Sequence, residues 1–215
     1  MGTNGSGKTT LFNLISGFLT PQSGNILFNE KSITKLPPYK INQLGIGRTF
    51  QDLRLITKLN VKENVLLASK GDPTNNWAKA LMPANVYKKK SIALSEQADK
   101  ILTEHFLDDV KYSLAGQISY GQQKLLTLAC CVANDSECLL IDEPVAGIQP
   151  KFQQEIGILI KKLKERGKAI FFIDHNTDFI AELADEIFFL HEGKISAFES
   201  ISSLRADKAV MEAYL

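Results

Sequence analysis

The run Gly2-Thr-Asn-Gly-Ser-Gly-Lys8-Thr9 fits the spacing G-x-x-x-x-G-K-[ST] and constrains this chain more than any other segment. Glycines at these positions let backbone N–H groups turn inward around phosphate oxygens. A helix starting at Lys8 adds the positive end of its dipole. Asn4, Gly5, Ser6, Gly7, Lys8, Thr9 and Thr10 are the residues within reach of a bound phosphate chain. Lys8 supplies a mobile point charge for β- and γ-phosphates, and Thr9 offers a hydroxyl to Mg²⁺. A glycine turn that merely caps a helix would look the same, so the companion motifs decide between the two.

The rest of the chain reads as alternating helices and strands. Leu11, Leu14, Ile15 and Phe18 recur at helical spacing, and Thr20-Pro21-Gln22-Ser23-Gly24 stops that helix. A short strand at 25–29 follows, then a looser middle region in which Leu94, Ala98, Ile101 and Leu102 mark a helix. Leu125, Leu128, Ala129 and Val132 share one helix face, and Ile156, Leu159, Ile160 and Leu163 share another, with Gly167 as its C-cap. The runs 138–141 and 169–173 are wholly apolar, as strands covered on both faces are. This alternation predicts a parallel sheet sandwiched by helices. Residues 187–190 and 195–198 around Glu192-Gly193 predict a hairpin.

Leu139-Leu-Ile-Asp142-Glu143 is an apolar strand ending in two acids. Behind a phosphate loop, Asp142 can hold Mg²⁺, and Glu143 can take a proton from an attacking water. Phe171-Phe-Ile-Asp174-His175 ends the next strand in a histidine, whereas His105 and His191 match no motif and read as structural. A formal net charge of +1 gives no nucleic-acid or anionic-membrane footprint. No apolar run is long enough to span a bilayer. Cys130, Cys131 and Cys138 lack metal-ligand or redox spacing and read as small apolar residues. Lys88-Lys89-Lys90 reads as a solvated loop or helix start, and Trp77 carries no assignment.

Ile118-Ser119-Tyr120-Gly121-Gln122-Gln123, directly before a helix, resembles the signature of the ATP-binding-cassette (ABC) family. The order of motifs matches too. Arg48-Thr-Phe-Gln51 resembles its Q-loop, Ala146-Gly-Ile-Gln-Pro150 its D-loop, and His175 its switch histidine. The resemblance covers the whole chain. It implies an α/β P-loop NTPase fold with a parallel-sheet core, residues 1–215 forming one nucleotide-binding domain and roughly 66–130 an inserted helical subdomain. It implies ATP hydrolysis with Mg²⁺. Glu143, His175 and Gln51 would be catalytic, Thr9, Gln51 and Asp142 would hold the metal, and Ser119, Gly121 and Gln122 would face the γ-phosphate of a partner cassette. A lone Ser119 could equally be a helix cap.

The stretches Leu44–Leu55 and Leu59–Val65, with Ser119-Tyr-Gly-Gln-Gln and the terminal Ala213-Tyr-Leu, are most similar to ATPase subunits of branched-chain amino-acid importers. Urea and amide importers share much of this pattern. A soluble, non-transport ABC ATPase and an inactive truncated fragment are the remaining alternatives. The resemblance implies a second ABC ATPase subunit (homo- or heterodimer, heterodimer favoured), integral-membrane permeases and, indirectly, a substrate-binding protein, with no nucleic acid. It implies a cytoplasmic protein held at the inner face of the membrane by its permeases. Departures include Tyr120 for the usual Gly, Gln149 for Asn or Asp, Asn176 for Asp and Leu125 for a basic residue. Family members also carry a β-subdomain, an adenine-stacking aromatic and a central strand ahead of the glycine loop, where this chain has only Met1. The chain therefore reads as truncated, as a misplaced start or as a fragment.

Overall fold

The computed structural model describes residues 1–50, 53–70 and 84–214. In chain order the elements are α1 (Lys8–Ile15), β1 (Leu27–Phe28), β2 (Lys31–Ser32), α2 (Pro38–Gln43), β3 (Ile46–Arg48), α3 (Val61–Ala68) and α4 (Ala84–Glu104). Then follow α5 (Tyr120–Ala133), β4 (Cys138–Asp142), α6 (Pro150–Glu165), β5 (Ala169–Ile173), α7 (Thr177–Leu183), β6 (Ile187–His191), β7 (Lys194–Phe198), α8 (Ile201–Ala206) and α9 (Lys208–Tyr214). This is the α/β fold that the alternation predicts.

The sheet that carries the site is parallel, in the order β3-β4-β5, with Cys138 beside Ile46 and Ala169, and Asp142 beside Ile173. Successive side chains of a strand point to opposite faces, and β4 shows why its run is wholly apolar. Leu139 and Ile141 enter one core with α5 and α6, while Leu140 enters a second core with Phe12, Ile33, Ile41, Ile46 and Ile173. The first core is continuous through α3, α4 and α5, where Val65, Leu102, Leu125 and Leu126 are fully buried.

Helix ends follow from local chemistry. The α6 helix ends where Gly167 turns left-handed (φ 77°), with the Gly167 N–H on the Lys164 carbonyl and the Lys168 N–H on that of Leu163. Only a residue without a Cβ takes that turn cheaply. The same device corrects the reading of the first helix. It stops at Ile15, not beyond Phe18, because Gly17 (φ 74°) donates to Leu14 and Phe18 donates to Asn13. Phe12 is therefore the buried anchor, and Phe18 is exposed, edge-on to Phe50 at 5.5 Å between ring centroids.

Strands β6 and β7 form the predicted hairpin, closed by Glu192 and Gly193 with φ of 47° and 76°. Among the described residues β5 and β6 share no ladder. Met1 and Gly2 run beside β6, with Gly2 bridged in parallel to Leu190 and the Leu190 N–H donating to the Met1 carbonyl at 2.9 Å. Cavities of about 390 and 300 Å³ lie between β5 and β6, lined by Met1, Phe171, Phe172 and Phe188. Gly2 has to be glycine here, since a Cβ would lie 2.3 Å from the Leu190 carbonyl oxygen. Trp77 and Gln51 lie outside the described residues.

Phe12 is fully buried and packs at 5.3 Å from the Phe171 ring, which fixes α1 to the sheet. Truncating it leaves a cavity, so Phe12→Ala should lower unfolding free energy by about 3–5 kcal/mol. Urea denaturation followed by circular dichroism measures the loss.

Candidate active site

The glycine loop folds as a helix-leading turn. Gly5 (φ 78°) and Gly7 (φ 103°) take left-handed conformations, and Ser6 donates its N–H to the Thr3 carbonyl. No atom lies within 4 Å of where a Gly5 Cβ would stand, so the turn is open there and its backbone, not packing, favours glycine. Among the described residues the Ser6 hydroxyl is buried with no partner, and the Lys8 ammonium bonds only the loop's own Gly2 and Thr3 carbonyls, each at 2.8 Å. Asn4, Thr9 and Thr10 are exposed along the same rim. An orphaned donor, a cation bonded only to loop carbonyls and an open left-handed turn fit a polyphosphate.

Two acids stand at the carboxyl end of β4. Asp142 is 7% exposed, with its N–H on the Thr49 hydroxyl at 3.1 Å and its carboxylate 3.8 Å from the Arg48 guanidinium. Burial pushes its carboxyl pKa up against the pull of Arg48. Glu143 follows in a left-handed backbone (φ 48°), anchored by its N–H on the Ile173 carbonyl at 2.8 Å. Such a conformation costs a non-glycine residue free energy and survives where surrounding contacts over-determine it. It turns the carboxylate toward β5, where His175 Nε2 lies 3.7 Å from Glu143 Oε1. Partial burial lowers the Lys8 pKa, and the charges of Glu143 and Asp142 oppose that shift, so phosphate loop and acids share one field.

No group of three or more His, Cys, Asp or Glu among the described residues could hold a metal. Mg²⁺ typically takes one or two protein ligands, several waters and substrate phosphates, rather than an all-protein cage. The Thr9 hydroxyl and the Asp142 carboxylate are of the donor types such a site uses, while Gln51 lies outside the described residues.

Ser119 caps α5. Its hydroxyl accepts from the Gln122 N–H at 3.3 Å, and Gln122 Oε1 accepts from the Ser119 N–H at 2.9 Å, a reciprocal capping box. The capping alternative for Ser119 therefore holds in this state, although the serine remains exposed at a helix N-terminus. Gly121 is buried, and a Cβ there would lie 2.2 Å from the Phe152 ring, so the residue type is fixed by packing. In the loop 146–150, Gln149 precedes α6 without a side-chain cap, and Pro150 takes its first turn.

Three residues that hold this region together escaped the motif reading. Arg48 joins α1 to β3 through Asn13 and Ser16, each at 2.7 Å, and lies over the rings of Phe12, Phe18 and Phe50. Buried Asp174 accepts from Val145 and Asn176 and so ties the segment after Glu143 to the segment holding His175. Lys124 reaches from α5 to the Glu143 carbonyl. Arg48 and Asp174 lie inside the Q-loop-like and switch-like stretches, whose patterns give neither a role, and Lys124 lies just beyond the signature-like one.

His105 is fully buried, with Nδ1 2.7 Å from the Ile101 carbonyl oxygen, and burial pushes it down to about 4, a neutral structural residue. His191 stacks on Phe189. The cysteines are free, and burial pushes the Cys131 thiol up to about 12, out of reach of thiolate chemistry at neutral pH. Lys88 and Lys89 are exposed on α4. No described helix is long and apolar enough to cross a membrane.

The sequence profile described as ABC transporter matches residues 1–146. The chain belongs to that family. It is 32% identical to the high-affinity branched-chain amino acid transport ATP-binding protein BraF of Pseudomonas aeruginosa, over 100% of this chain and 85% of that protein. Against the probable branched-chain amino acid transport ATP-binding protein LivG of Archaeoglobus fulgidus, the identity is 33%, over 100% and 82%. The fold superposes on a nucleotide-free ATP-binding cassette from an ABC transporter with a TM-score of 0.83 and 30% identity, covering 100% of this chain and 85% of that one. An ADP conformation of such a cassette gives 0.81 and 29%, with coverages of 100% and 85%. The chain is thus an ATP-binding and ATP-hydrolysing cassette.

The raised Asp142 carboxyl has a consequence for stability. A carboxyl raised in the fold stabilises it only while protonated, so that contribution is lost as pH rises through the folded value. Relative to the parent, Asp142→Asn should therefore gain melting temperature between low pH and pH 7, on a scale of about 2–4 °C per kcal/mol for a chain this long. The gain should shrink as pH falls toward about 4. Differential scanning calorimetry across pH reads both.

Proposed function

We propose that this cassette drives import of branched-chain amino acids by hydrolysing MgATP. The observation that carries the chemistry is the approach of Glu143 and His175 to 3.7 Å at the carboxyl ends of adjacent strands, in the field of the phosphate-loop lysine. The substrate reading is supported by the printed functions of relatives 31–33% identical along the whole chain.

Asn4 to Thr10 bind the phosphates, with Lys8 leaving the Gly2 and Thr3 carbonyls to meet the β- and γ-phosphates. Thr9, Asp142 and Gln51 would hold Mg²⁺, which would supply charge neutralisation at the transferred phosphoryl group. Glu143 accepts the proton of the attacking water. His175 orients that water and the γ-phosphate. Ser119, Gly121 and Gln122 act on the nucleotide of a second cassette, with Ser119 exchanging its capping bond for a phosphate oxygen. A head-to-tail pair makes two composite sites, since one contact patch of each subunit is repeated in the other. A heterodimer is the favoured pairing.

Of the helical subdomain, roughly 66–130, residues 66–70 and 84–130 are described, and the groove of about 620 Å³ beside them is the surface we assign to the permease subunits. Arg54, Leu55, Ile56, Leu67 and Lys70 mix charge and apolar surface along that groove. The cassette works at the cytoplasmic face of the membrane through those permeases, which in turn receive solute from a binding protein.

Glu143→Gln removes the proton acceptor and keeps the shape. Hydrolysis by this variant should fall by about 10²-fold or more, with ATP affinity within a few-fold of the parent. Phosphate release and equilibrium binding measure the two. In cells lacking the equivalent cassette, the parent chain should restore uptake of labelled leucine and the variant should not.

A further inference from the structure

Lys124 lies on the second turn of α5, the helix that Ser119 caps, and is 9% exposed. A lysine is almost never fully buried without a partner. Its ammonium donates to the main-chain carbonyl of Glu143, a residue on a different element. The same ammonium lies 5.4 Å from the ring of Tyr120, one turn earlier on α5. The carboxylates of Asp174, Glu143 and Asp142 all act to keep it charged against the effect of burial. None of the motifs includes this lysine, and it makes no hydrogen bond to the phosphate loop among the described residues.

The place where it attaches is what gives it a role. Glu143 holds a left-handed backbone, and something must keep the peptide that follows from relaxing. The Ile173 carbonyl fixes the N–H side of the residue. On the carbonyl side the loop supplies the Ala146 N–H at a long 3.4 Å. A hydrogen bond from a charged donor is about twice as strong as a neutral one, so Lys124 is the stronger restraint on that carbonyl.

We propose that Lys124 is a positioning residue that locks the Glu143 peptide and thereby aims the Glu143 carboxylate, coupling it to the Tyr120 turn of α5. The proposal rests on Glu143 being the proton acceptor. Because Tyr120 sits in the turn that serves the opposite composite site, the lysine joins one site's proton acceptor to the γ-phosphate contact of the other.

Steady-state hydrolysis and equilibrium ATP binding are measured on the full chain for the parent, Lys124→Arg, Lys124→Gln, Lys124→Met and Glu143→Gln, each checked for cooperative thermal unfolding. A positioning role lowers kcat without altering nucleotide affinity. We expect Lys124→Met and Lys124→Gln to lose at least about tenfold in kcat, with the ATP dissociation constant within twofold of the parent. Lys124→Arg, which keeps a charged donor, should recover at least half of the parent kcat. Neither Lys124→Met nor Lys124→Gln should slow hydrolysis further in the Glu143→Gln background. Should Lys124→Met fail to unfold cooperatively, Lys124→Gln and Lys124→Arg decide by the same criteria. Full kcat in the folded neutral variants, or equal losses in kcat and in ATP affinity, would overturn the proposal. If Glu143→Gln itself hydrolyses ATP at the parent rate, the proton-acceptor reading falls first. If it is inactive and the neutral Lys124 variants are not, only the lysine proposal falls.

Discussion

Two-sided burial of β4 is the constraint on which the rest depends. Leu139 and Ile141 are sealed by α5 and α6, and Leu140 by the core that contains Phe12. A strand so covered has one register, because a slip of one residue would exchange its two faces. The register fixes Asp142 beside Ile173, and hence the acids beside the segment that carries His175. The Phe12 contact with Phe171 places α1, and with it the phosphate loop, against the same sheet. Ligand sites at the carboxyl ends of parallel strands follow from this geometry.

Much of this was legible in the sequence because the signals were periodic or conformational. The wholly apolar runs at 138–141 and 169–173 became central strands, and the Glu192-Gly193 turn became the hairpin. Gly167 announces the end of α6, and Gly17, ahead of the later proline, marks the end of α1 by its left-handed turn. Phe18 kept the helical spacing but lies beyond the helix, where it meets Phe50 and the Arg54 guanidinium. Spacing alone does not register where hydrogen bonding stops.

Illegible were the long charged side chains that bridge elements. Arg48 opens a Q-loop-like stretch and Lys124 follows a signature-like one, yet nothing in their neighbours reveals that the third dimension buries them against Asp142 and the Glu143 carbonyl. Each sits where a strand or helix end must be held against strain or repulsion. Glu143 in a left-handed conformation and Asp142 with its buried carboxyl are both costly to the fold, and both stand at the proposed centre of hydrolysis. Stability given up at a reactive centre is a common feature of enzymes.

The central claim is that the loop 2–9 holds the nucleotide's phosphates beside these acids. Its most direct test is ATP binding by equilibrium dialysis for the parent chain and Lys8→Ala. Among the described residues the Lys8 ammonium bonds only loop carbonyls, and it faces the field of Asp142 and Glu143. The account predicts at least about a tenfold loss of ATP affinity, equivalent to about 1.4 kcal/mol, with thermal stability retained. Equal affinity in the two proteins would contradict it.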